Sequence, residues 1–202
     1  MRALQHIINS GVSPADILIS GDSAGGMLTM QIISHHLHPH PSISALPIPQ
    51  VPFAGLLVIS PWVVFDSDAP SFVKNDNDTV SQETLLYWGR LAHDGNPPPD
   101  TKDGPEEYWR EPLRAPPNWW NGTEDVTKHV AFVYGECEAL RDDILSLIEK
   151  FKEGVAGERI DIVTVEEPMG LHIGPIGDAA RARAPSDVTK IIAEWVHDRL
   201  AV

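Results

Sequence analysis

Residues Ile17-Leu18-Ile19-Ser20-Gly21-Asp22-Ser23-Ala24-Gly25-Gly26 decide the fold. A β-branched, apolar run leads into Gly-x-Ser-x-Gly, and a helical pattern follows at once. That context is what a nucleophile elbow requires: a serine on a sharp strand-to-helix turn, strained in its backbone, with its hydroxyl clear of neighbours. Gly21 and Gly25 stand where a side chain is expected to crowd the turn. The helix behind Ser23 aims its N-terminal N–H groups and their partial positive charge at developing anionic charge.

Two further stations follow in the same chain direction. The segment His129-Val130-Ala131-Phe132-Val133-Tyr134-Gly135 reads as a strand and runs into Glu136-Cys137-Glu138-Ala139-Leu140-Arg141-Asp142-Asp143. The segment Ile160-Asp161-Ile162-Val163-Thr164-Val165 reads as another and runs into Glu166-Glu167-Pro168-Met169-Gly170-Leu171-His172. A serine, an acidic cluster and a histidine thus each follow a strand, in the order known for hydrolases built on such an elbow. In open α/β sheets the carboxyl ends of the strands are where active sites collect.

Gly21-Asp22-Ser23-Ala24-Gly25-Gly26, Ser60-Pro61-Trp62, Glu138-Ala139-Leu140-Arg141-Asp142-Asp143 and Gly170-Leu171-His172 together resemble the hormone-sensitive-lipase-like branch of the α/β-hydrolase family, in its fungal esterase and acetyl-hydrolase form. The likeness runs from about Leu4 to the C-terminus. Family members carry Asp-Pro-Leu-x-Asp at the acid turn, and its first acidic residue is catalytic. Glu138 holds that position here, with Ala139 in place of proline. The resemblance therefore implies Ser23 as nucleophile, His172 as base and Glu138 as the acid that orients it, ahead of Asp142 and Asp143. Ala24, next after the nucleophile, offers its backbone N–H to the oxyanion. The implied activity is that of a serine carboxylic-ester hydrolase on short acyl or acetyl esters of a small molecule, natural products among them. Two alternatives stay open: a pseudo-hydrolase that binds a small molecule or partner without turnover, and an acyl transferase or product-releasing hydrolase of a biosynthetic pathway, in which an alcohol or amine replaces water.

The sequence departs from the family at one point. Members place His-Gly-Gly upstream of the elbow, where its N–H groups form half of the oxyanion hole, and this sequence contains none. Ser23 also stands too near Met1 for the early strands of a full sheet. The expectation is the C-terminal part of a hydrolase, weak as an enzyme by itself. Its unpartnered strand edge is expected to drive self-association, a homo-oligomer included.

Composition bounds the rest. The chain has 202 residues, 42% of them hydrophobic, enough for one domain (1–202) with a sizeable core. It carries 29 acidic against 15 basic residues, a formal net charge of −14. That excludes nucleic acid and anionic membrane as expected partners, since both demand a basic face. The partner expected is a small-molecule ester. Cys137 is the sole cysteine, so no internal disulfide forms. The N-terminus lacks the apolar run of a secretory signal, no transmembrane segment is visible, and a cytoplasmic location is expected. No cofactor and no metal are called for.

Along the chain, residues 1–10 read as the end of a helix broken at Gly11-Val12-Ser13-Pro14. Strands are expected at 16–20 and 53–60, the second apolar throughout, as in a parallel sheet covered on both faces. Residues 61–128 read as a loop-rich insertion with one helix, Ser81 to Ala92, opened by a Thr79/Gln82 capping box. The prolines at 97–99, 105, 112, 116 and 117 mark the remainder as loop. A helix near 142–153 and a last helix striped with Val188, Ile191, Ile192, Trp195, Val196 and Leu200 complete a doubly wound, mainly parallel α/β sheet.

Several eye-catching residues have plainer readings. Asp22 is expected to hold the elbow by hydrogen bonding. His35, His36, His38 and His40 read as a solvated helix end rather than a metal site. Cys137 reads as a small buried residue. Trp88, Trp109, Trp119 and Trp120 either wall a substrate pocket or pack the insertion.

Overall fold

The computed structural model describes residues 2–44, 51–75, 77–93 and 104–200. Four parallel strands form one sheet in the order β1-β2-β3-β4: Leu18–Asp22, Gly55–Ile59, His129–Gly135 and Asp161–Glu167. Helices flank this parallel α/β sheet. Strand β1 starts two residues later than the apolar run suggests. Pro14–Asp16 form a 3₁₀ turn that Ser13 caps through Ala15 N–H, so the chain is not extended until Leu18.

Side-chain alternation divides the core. Leu56, Val58, Val130, Phe132 and Tyr134 point to one face, packed by α1 (Arg2–Asn9), α2 (Ala24–Leu37), α6 (Arg141–Gly154) and the insertion. Leu57, Ile59, Ala131 and Val133 point to the other, where Val188 and Trp195 of α8 (Asp187–Leu200) cover them. The inner strand β2 is buried at all five positions, which explains its unbroken apolar run. Ile191 and Leu200 do not join the stripe of α8. They lie at its margins and are 43% and 41% exposed.

The insertion is more helical than its prolines suggest. It holds α3 (Pro70–Lys74), α4 (Gln82–Ala92) and α5 (Pro105–Arg110), then 3₁₀ turns at Pro112–Arg114 and Pro117–Trp120. Pro70, Pro105, Pro112 and Pro117 each stand at a first helical position, where the missing N–H costs nothing and the fixed φ is already helical. The capping box is also displaced. Ser81, not Thr79, caps α4 by accepting from Thr84 N–H at 3.2 Å. Prolines 97–99 lie outside the described residues. One more short helix, α7 (Gly174–Ala180), follows β4. Among the described residues no helix is long and apolar enough to cross a membrane.

Because all four strands run the same way, their carboxyl ends share one edge of the sheet. Ser23 follows β1, Ser60 follows β2, Glu138 follows β3 and His172 follows β4.

Candidate active site

Ser23 sits between β1 and α2 at φ 53°, ψ −119°. A serine holds this backbone only if its surroundings over-determine it. Ser23 N–H donates to Ile59 O at 2.9 Å, and Ser23 O accepts from Met27 N–H and Trp62 N–H. Gly21 lets the turn close, since a Cβ there would stand 2.1 Å from Gly25 O. The other close approach is at Gly26, whose Cβ would stand 2.8 Å from Pro61 Cβ. A Cβ at Gly25 meets nothing within 4 Å, so crowding does not explain that glycine. Asp22 does not brace the elbow either. It is exposed at the end of β1, which pairs on one side only among the described residues, and its side chain makes no hydrogen bond to any of them.

The structure brings the three sequence-predicted side chains into one row. Ser23 Oγ lies 2.9 Å from His172 Nε2, and His172 Nδ1 lies 3.2 Å from Glu138 Oε2. A carboxylate only accepts, so Nδ1 carries the hydrogen toward Glu138 and leaves Nε2 to accept from the serine hydroxyl. Glu138 is wholly buried and His172 is 3% exposed. Ala24 opens α2, and an N–H in a helix's first turn has no intrahelical acceptor. It is therefore available to an oxyanion.

The other acidic candidates go elsewhere. Glu136 accepts from Met169 N–H. Asp142 Oδ2 accepts from Ser71 N–H at 2.8 Å while Asp142 N–H donates to Ser71 Oγ, so it caps α3 and not its own helix. Asp143 is buried, and that burial raises its carboxyl to about 6. Cys137 is half-buried rather than buried.

Strain gathers at this edge. Four of the five non-glycine residues with positive φ among those described are Ser23, Ser60, Met169 and Ile173. Ser60 Oγ accepts from Ile173 N–H at 3.1 Å, tying the end of β2 to the His172 turn. A cavity of about 520 Å³ opens beside His172, with Thr79, Met169, Ile173 and Arg181 in its wall. Glu167 also lines it, and burial pushes its carboxyl up. None of the four tryptophans does. Trp119 and Trp120 are buried in the main core, Trp109 packs against it, and Trp88 is largely exposed.

The histidine cluster is partly packed: His35 is buried, while His36, His38 and His40 are half-buried. His35 is 4% exposed, accepts from His40 N–H through Nδ1 and donates to Ser44 O. His38 stacks on Trp119 and bonds Trp119 O. Among the described residues no cluster could hold a metal ion.

Residues 1–170 match the model of a family of α/β-hydrolase fold. The chain belongs to that family. Solved structures similar to this α/β-hydrolase chain include an esterase/lipase from an uncultured bacterium, at 22% identity and TM-score 0.72 over 99% of this chain and 58% of that one. An esterase of the bacterial hormone-sensitive lipase family matches at 21% and 0.69, over 98% and 57%. A hormone-sensitive lipase from a metagenome library matches at 26% and 0.67, over 98% and 58%. The chain thus spans under two thirds of each of these structures. No curated protein sequence matches it.

Sequence reading missed three participants at this edge: Asp78, whose carboxylate accepts from the backbone of Ala139 and His172, Ser60 as a brace, and Glu167 in the cavity wall. Only Ser60 carried a signal, as part of Ser60-Pro61-Trp62.

Proposed function

We propose that the protein is a serine carboxylic-ester hydrolase acting through an acyl-enzyme on short acyl or acetyl esters of a small molecule. The observation that carries this is the row from Ser23 Oγ through His172 to Glu138. A serine hydroxyl is a poor nucleophile at neutral pH and needs an adjacent base. His172 Nε2 takes its proton as Oγ attacks the acyl carbonyl, and later delivers it to the leaving alkoxide. Glu138 holds the Nδ1–H tautomer and stabilises the imidazolium. Ala24 N–H supports the tetrahedral oxyanion, and one such donor contributes about 100- to 1000-fold in turnover. The ester class rests on the likeness to esterases of the hormone-sensitive lipase type.

A fluorophosphonate probe tests the assignment. Labelling of the wild-type protein and its loss in Ser23→Ala are expected, together with loss of p-nitrophenyl acetate hydrolysis. Labelling that survives the substitution would remove Ser23 from the reaction. A protein that binds the ester without labelling or turnover would make it a binding module.

A further inference from the structure

The acid turn and the histidine turn are held by a third segment, from the insertion. Asp78 Oδ2 accepts from Ala139 N–H at 2.8 Å, one residue past Glu138. Asp78 Oδ1 accepts from His172 N–H, also at 2.8 Å. One carboxylate therefore bridges the backbones that carry the two partners of the Nδ1–Oε2 contact. Its neighbours hold the same turns: Asn75 Nδ2 donates to Glu138 O at 2.9 Å, and Thr79 Oγ1 donates to His172 O at 3.3 Å. Asp78 Oδ1 also accepts from Thr79 N–H at 2.7 Å, which fixes the carboxylate on its own segment, and hydrogen bonds to a charged carboxylate are the strong ones.

We propose that Asp78 is a positioning residue of the active site: its carboxylate sets the distance between the Glu138 turn and the His172 turn, and so the alignment of His172 toward Ser23. This rests on the reading of Ser23, His172 and Glu138 as the catalytic residues. Neither turn is part of a helix or strand. Glu136 N–H to Glu167 O and Cys137 N–H to Gly170 O tie the starts of the two turns, and the Asp78 carboxylate ties their far ends, at Ala139 and His172. Asp78 touches no reacting atom in this arrangement. Its effect is on alignment, where a misplacement of about 1 Å can cost about 100-fold.

The test combines one readout that needs no catalysis with one that does. In Asp78→Ala, amide hydrogen exchange at Ala139 and His172 is expected to speed up at least tenfold, with the exchange of β2 and β3 unchanged. For p-nitrophenyl acetate, kcat is expected to fall about 10- to 100-fold with KM within threefold, since alignment and not ground-state binding is lost. Asp78→Asn keeps the size and one acceptor oxygen, so it should fall between the two, and it decides the matter if the alanine variant does not fold. Wild-type exchange and kcat in a folded variant would overturn the proposal. So would protection lost evenly across the sheet, which would make Asp78 a general stabiliser. If the wild-type protein is neither labelled nor active, the catalytic reading falls, and exchange at the two turns alone decides whether the bridge exists.

Discussion

Glu138 sits wholly buried with Oε2 on His172 and Oε1 accepting no hydrogen bond from the described residues. In the proposed reaction that carboxylate serves its one partner, the His172 imidazole. Removing it leaves the imidazole free to take the wrong tautomer. Glu138→Ala is therefore expected to lower turnover of a short-chain ester on the order of 10⁴-fold. Asp142→Ala should keep most of the rate and lose the α3 cap, lowering stability by about 1 kcal/mol. Steady-state kinetics and thermal melts on the two variants separate these outcomes. If Asp142→Ala is the inactivating change, the acid is misassigned.

At the scale of elements, the start of α6 is a junction. Ser71 and Asp142 exchange two hydrogen bonds, and Ser71 Oγ donates to Ala139 O, so α3 is stitched to the acid turn. Asp143, beside them, is buried and close to the charges of Asp142 and Asp68, with a hydrogen bond to Ser67. Burial is the main cause that lifts its carboxyl from 3.8 to about 6. The sign follows from linkage. A carboxyl whose folded value lies above its unfolded one favours folding when protonated; that contribution is full below about pH 4 and is lost as pH rises through about 6. Asp143→Asn has no such titration. The melting temperature of the variant relative to wild type should therefore rise between pH 4.5 and pH 7.5. A difference that stays flat across that window would show that Asp143 does not titrate there.

At the scale of the whole molecule, the insertion and the sheet share one core. Trp120, at the end of the Pro117–Trp120 turn, is fully buried and packs on Phe151 of α6, which in turn meets Phe132 of β3. The two come into tight contact at the end of α6, where a Cβ on Gly154 would stand 1.9 Å from Pro117 O. Backbone cannot give way as a flexible side chain can. Gly154→Ala is expected to cost about 1–3 kcal/mol. Gly104→Ala, where a Cβ meets nothing within 4 Å, should cost less, at most the ~1 kcal/mol of a weakened α5 N-cap. Thermal unfolding compares them. Equal melting temperatures would mean that the insertion does not depend on that contact.

Strand–helix alternation, and the sheet edge where the candidate site lies, follow from the residues alone. The apolar runs of β2 and β3 mark inner strands, and parallel strands joined by helices place every carboxyl end on one side. Ser23, the acidic turn and His172 were legible because each follows its strand within a few residues. Tertiary structure decided the rest. Four carboxylates crowd residues 136–143, and only packing shows that Glu138 alone turns to His172. Thr79 looked like a helix cap because local spacing knows nothing of the His172 carbonyl that takes its hydroxyl. Asp78 reaches two of its backbone donors across 61 and 94 residues. Periodicity and capping report hydrogen bonds between near neighbours in the chain, whereas a bridge of that span exists only once the insertion has docked.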